Sequence, residues 1–166
     1  MSIHGNTDEI GYTGIQGIGG WLLFFTITAI IRPLYIAYDT FSTFLPVLTG
    51  ETWYSLTSPS SLFYHRLWKP IIIFELAANI ISILLALVAL FLLFKKSRFF
   101  IKMWLFCAII SILFIGIDII LCSQIPALGR ESFEVLFHSL LQSIGYLTIW
   151  GLYLKKSSRA KNTFIK

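Results

Sequence analysis

Charge is scarce in this chain of 166 residues: Asp, Glu, Lys and Arg together make up 13% of it, against 57% hydrophobic residues. The mean hydropathy is +0.80. A soluble domain of this length leaves much of its chain facing water and cannot hide that much apolar surface, so an ordinary cytosolic enzyme and a disordered tail are both excluded. Cysteine is nearly absent. Cys107 and Cys122 lie in one apolar run, about 22 Å apart on a continuous helix. That distance excludes a disulfide between them and with it a secreted disulfide scaffold. Lys and Arg are missing from the residues ahead of Trp21, and no A-x-A-like site follows, so the first apolar segment is expected to stay attached as a membrane anchor.

Motifs of soluble chemistry are lacking too. His4, His65 and His138 have no cysteine partners in ligand spacing and no H-E-x-x-H, so neither a metal site nor a cofactor is expected. There is no G-x-S-x-G nucleophile. Gly14, Gly17, Gly19 and Gly20 form a glycine-rich run, but no strand signal precedes it and no Lys-Ser/Thr follows, which excludes a phosphate loop. Glycine there suits a close approach of the chain to the bilayer surface.

Four stretches are long and apolar enough to cross a hydrocarbon core of about 30 Å, which needs roughly 20 residues. They run over about 20–41, 70–94, 99–125 and 131–154, followed by a basic tail at 155–166. This pattern predicts an all-α membrane protein, a four-transmembrane-helix bundle forming one domain over 1–166. Nine Lys and Arg flank one side of it: Lys95, Lys96, Arg98 and Lys102 between the second and third stretches, and Lys155, Lys156, Arg159, Lys161 and Lys166 in the tail. The other side has three, Arg66, Lys69 and Arg130. The imbalance predicts that both termini are cytoplasmic, with basic residues that meet anionic lipid headgroups and no role in binding nucleic acid. The long first extracytoplasmic loop, from about Ser42 to Lys69, carries Trp53, Tyr54, Phe63, Tyr64 and Trp68 and is expected to lie along the interface or fold over the bundle mouth.

Ionisable groups within the bilayer are costly, about 2.5–3.5 kcal/mol on insertion scales, and each is a functional candidate. Arg32, Glu75, Asp118 and His138 fall at nearly one depth when counted from the outer ends of their stretches. Stripes of small and polar residues run with them: Glu75, Asn79, Ser82 and Ala86; Cys107, Ser111, Asp118 and Cys122; Glu134, His138, Gln142 and Gly145. Such stripes pack membrane helices together. The expected intramembrane cluster is therefore Arg32, Asp39, Glu75, Asn79, Asp118, Glu134, His138 and Gln142. It reads either as a structural lock, with Arg32 bridging Glu75 or Asp118, or as a binding site open to the outer side. Pro33, next to Arg32, breaks the helix ladder beside the charge.

Gly19-Gly20-Trp21-Leu22, Glu75 with Asn79, Phe94-Lys95-Lys96-Ser97 with Phe99, and Ser158-Arg159-Ala160-Lys161-Asn162-Thr163-Phe164 together resemble the small bacterial inner-membrane proteins of domain of unknown function 2569. The resemblance covers nearly the whole chain. It implies a four-helix bacterial membrane protein without an assigned activity, and a docking or lipid-contact role for the tail from Arg159 to Phe164. Three functions fit the residues. The first is a non-enzymatic accessory or interaction subunit, partnered by a membrane protein or by its own copies. The second is a small transporter or ligand-binding protein with a proton-sensitive outer cavity. The third is an intramembrane lipid-modifying enzyme using carboxylates and His138 as acid and base. The topology is checked by alkaline-phosphatase fusions: inactive after Lys166, active between Ser55 and Ser61, with the reverse pattern overturning it.

Overall fold

The computed structural model describes residues 16–165, so Gly14 of the glycine run, His4 and Lys166 lie outside the described residues. The chain forms α1 (Trp21–Thr49), α2 (Glu51–Thr57), α3 (Trp68–Phe94), α4 (Phe100–Cys122), α5 (Arg130–Lys156) and α6 (Ser158–Thr163), with no strand among the described residues. Helices α1, α3, α4 and α5 are long and apolar enough to cross a membrane. Their outward faces are as apolar as their inward ones: Leu84, Phe91, Ile120 and Ile149 are all exposed, as lipid-facing residues should be.

The first helix outruns its expected end near residue 41 and continues through Ser42, Thr43 and Pro46 to Thr49. Its hydroxyls do not stop it because they bond back one turn: Ser42 Oγ donates to the Tyr38 carbonyl at 2.8 Å and Thr49 Oγ1 to the Leu45 carbonyl at 2.7 Å. At about 43 Å for 29 residues, α1 is longer than the hydrocarbon core and must tilt or project. It stops at Gly50, whose N–H closes on the Pro46 carbonyl at 3.0 Å; a Cβ on Gly50 would stand 2.7 Å from that same oxygen. Much of the stretch expected as a loop is thus helix, leaving turns only at about 58–67.

The helices pack as a row, α1 on α3, α3 on α4 and α4 on α5. The row curls so that α1 also meets α5 at the end of the bundle where the lead-in to α1, the tail after α5 and the α3–α4 turn gather, here called the terminal end. There Phe25, fully buried, stands edge-on to Phe100 and Trp104 and tilted against Trp150, at centroid distances of 6.0, 5.4 and 5.2 Å. Leu22, Leu93 and Leu154 close the same core. A smaller one at the opposite, loop end joins Ile71, Cys122 and Ile125.

The tail seals the terminal end. Ser157 caps α6 by accepting the Ala160 N–H at 3.2 Å, and Ala160, Thr163 and Phe164 turn inward and are buried. Phe164 packs on Phe100 at 4.7 Å between centroids, and Thr163 Oγ1 accepts the Gly17 N–H at 3.0 Å. Arg159 lies over Gly19 and Gly20: Cβ atoms there would stand 2.8 and 3.1 Å from its Nη1. Gly20 holds φ 56°, a left-handed value that L side chains avoid. Of the segment Arg159 to Phe164, for which the resemblance implied a docking or lipid-contact role, Arg159, Thr163 and Phe164 are engaged within the chain, while Lys161 stays exposed. Lys95, Lys96, Arg98, Lys155, Lys156 and Lys161 remain exposed.

Truncating Phe164 removes a buried ring from this seal, so Phe164→Ala is expected to destabilise the bundle by about 3 kcal/mol. Ser158→Ala, on the exposed side of α6, is expected to change it by less than about 0.5 kcal/mol. Unfolding in detergent, followed by circular dichroism, measures both.

Candidate functional site

Counted from the terminal end, Arg32 lies eleven residues into α1, about 16 Å along it. Glu75 lies nineteen residues from the end of α3, and Asp118 eighteen from the start of α4, which puts both near 28 Å. The expected single layer is therefore two layers roughly 11 Å apart. The discrepancy traces to α1: measuring from residue 41 rather than from Thr49 lifts Arg32 toward the carboxylates. No ion pair can bridge that gap.

In the lower layer, Arg32 is partly buried. Its Nη2 donates to Ser143 Oγ at 3.3 Å, and its guanidinium stands 4.8 Å from the ring centroid of Tyr146, a cation–π distance. Tyr146 is itself held by a hydrogen bond shared with the Thr28 hydroxyl at 3.3 Å and by the neighbouring rings of Trp104 and Trp150. Among the described residues Arg32 has no carboxylate partner.

Above this contact α1 and α5 enclose a cavity of about 480 Å³, backed by α3 and α4. Arg32, Asn79, Gln142 and Ser143 line it, and so do the apolar side chains of Phe114 and Ile115. Ile31 and Tyr35 also line it while remaining 57% and 65% exposed, so its mouth opens sideways between α1 and α5. A second space of about 60 Å³ lies behind Arg32 and Pro33, among the small side chains of Ala29, Ala86 and Ala108. Pro33 has no N–H to give the Ala29 carbonyl, so the helix ladder is interrupted beside the charge.

In the upper layer Glu75, Asp118 and Cys122 come together, one ligand-type atom of each lying within 4.8 Å of the others. Cys122 Sγ donates to Asp118 Oδ1 at 3.7 Å. Neither carboxylate lines the large cavity. The expected lock had Arg32 bridging Glu75 or Asp118, whereas the fold brings the two carboxylates to each other.

The remaining expected members fall elsewhere. Asp39 and His138 are exposed, and Glu134 pairs on the surface with Arg130 at 3.4 Å. The cause is a rotation of one residue on α5, about 100°: the inward stripe is Ser139, Ser143, Tyr146, Trp150 and Leu154, not Glu134, His138 and Gln142. Of that polar stripe only Gln142 reaches the cavity. Ser143 and Tyr146, which hold Arg32, escaped the sequence reading. Their signal was the Ser-x-x-Tyr-x-x-x-Trp spacing on the neighbouring face.

A family model described as "Protein of unknown function (DUF2569)" matches residues 15–165. No curated protein and no solved structure matches the chain. The two polar groups on α5 should respond differently to substitution. Tyr146→Leu loses the Arg32 contact, the Thr28 bond and two aromatic neighbours, and is expected to cost about 2 kcal/mol. Glu134→Gln breaks an exposed pair and is expected to cost less than about 0.5 kcal/mol; chemical unfolding in micelles compares the two.

Proposed function

This chain belongs to the DUF2569 family, whose function is unknown, and we propose that it is a non-enzymatic multi-pass membrane protein that binds an anionic amphiphile in the cleft between α1 and α5. The observation that carries this reading is Arg32. A cation inside a membrane bundle costs least when it is paired, yet this guanidinium meets a hydroxyl and an aromatic face and borders open space. A structural lock calls for direct pairs and no void. A cavity of about 480 Å³ lies instead within the range of small-molecule sites, about 300–1,000 Å³.

The chemistry of the lining selects the ligand. Arg32 supplies charge and a planar donor set suited to phosphate or carboxylate. Asn79, Gln142 and Ser143 add polar contacts, while Phe114 and Ile115 offer apolar surface. The lateral mouth favours a ligand that arrives through the bilayer. Neither histidine nor carboxylate lines the cavity, which supports binding or transport over acid–base catalysis. The same reading puts the protein in a bacterial inner membrane with both termini cytoplasmic, because the sequence carries nine Lys and Arg between the second and third apolar stretches and in the tail, against three on the other side. The basic residues there meet anionic headgroups.

A role as an accessory subunit is the second reading. It is favoured by Leu62 and Phe63, 99% and 68% exposed at the loop end, where a membrane partner or a second copy could cover them.

The binding reading is tested with decyl phosphate, titrated by calorimetry into the full chain in a neutral detergent, with decanol as the uncharged control. Saturable binding of the phosphate is expected, weakened about tenfold or more by Arg32→Gln and largely retained by Arg32→Lys. Equal binding of decanol, or an unchanged affinity in Arg32→Gln, would falsify it.

A further inference from the structure

A second recess lies on the opposite flank of α5, away from Arg32. Ile101 and Leu105 of α4 face Leu147 and Leu154 of α5 across a groove of about 520 Å³. Gly151 lines it; a Cβ there would make only ordinary contact, 3.8 Å from Leu105, but a larger side chain would project into the groove. From Thr148 to Lys155 the groove follows α5 for roughly 10 Å.

Two cations, Lys155 and Lys161, line the mouth of this otherwise apolar groove. They come from different helices. Ser157, extended at φ −71° and ψ 115°, breaks α5 and caps α6, which turns α6 back so that Lys161 stands beside the same groove as Lys155. The seal made by Arg159, Thr163 and Phe164 then fixes α6 in that position. The ordered tail thus builds a pair of positive charges at one end of a hydrocarbon-lined channel, level with the headgroups when the helices span the bilayer.

An apolar channel ending in two ammonium groups matches one class of molecule by shape and by charge. We infer that the α4–α5 groove is a binding site for an anionic phospholipid, with an acyl chain along Leu105, Leu147 and Gly151 and the phosphate between Lys155 and Lys161. The site is separate from the Arg32 cleft and does not depend on it. It differs from general attraction of a basic surface for an acidic membrane in requiring two named lysines and an open groove.

Native mass spectrometry of the full chain in neutral detergent tests this, using dioleoyl phosphatidylglycerol against dioleoyl phosphatidylcholine. The expected result is one tightly retained phosphatidylglycerol, preferred by about thirtyfold. The preference should vanish in Lys155→Gln/Lys161→Gln and persist in Lys156→Gln, whose lysine is adjacent in sequence but lies off the groove. Gly151→Leu should weaken retention of both lipids. If that variant does not fold, the surface double substitution decides alone. Equal retention of the two lipids, a preference that survives the double substitution, or one lost equally in Lys156→Gln would overturn the proposal. So would inorganic phosphate binding as tightly as the lipid, or a loss confined to Arg32→Gln.

Discussion

Everything in this molecule is organised around the way Phe25 is held. One ring on α1 touches α4 through Phe100 and Trp104 and α5 through Trp150, so a single side chain gathers three helices at the terminal end. In a lipid solvent no hydrophobic force draws helices together, and close packing must substitute for it. Large interlocked aromatics provide that packing here. With the base fixed, contact between α1 and α5 continues through Thr28 and Tyr146 to Arg32 and Ser143. The cleft lies above that point.

The separation of Arg32 from Glu75 and Asp118 changes the meaning of all three. A guanidinium with a carboxylate beside it would be neutralised within the protein and silent toward ligands. Placed a layer lower, with Tyr146 and Ser143 as its contacts, it keeps much of its capacity to attract an anion, because neither neighbour cancels its charge. The carboxylates, closed on each other and on Cys122, lie between α3 and α4 beside the small core at the loop end. The polar interior is thus divided into an open cationic part and a closed acidic part.

Much of the fold was legible in the residues. The four apolar runs, their order and the gathering of basic residues at one end follow from composition alone, because hydrocarbon tolerates few other arrangements. What could not be read was axial register and rotation. Ser42, Thr43 and Pro46 resemble loop chemistry, and only their back-bonding within a helix lets α1 run on to Thr49. That extension moved Arg32 by about two turns relative to its expected partners. On α5, polarity pointed to His138 and Glu134, while the face used for packing was chosen by bulk, through Tyr146 and Trp150. In lipid an exposed polar residue near a helix end can reach water, so polarity alone is a poor guide to which face turns inward.

The bond between Thr163 and Gly17 joins positions 146 residues apart; its neighbour Arg159 meets Gly19 and Gly20 across a similar separation, and Phe164 packs on Phe100 of α4. Hairpins such as α3–α4 and α4–α5 can form as soon as their own residues are inserted, since the contacts are local. The closed base cannot. Until Phe164 has been synthesised, α1 waits in the bilayer with Leu22 and Phe25 lacking part of their cover. Assembly of this protein is therefore timed by its tail, and a chain halted short of residue 158 would leave an unsealed bundle for quality-control proteases to find.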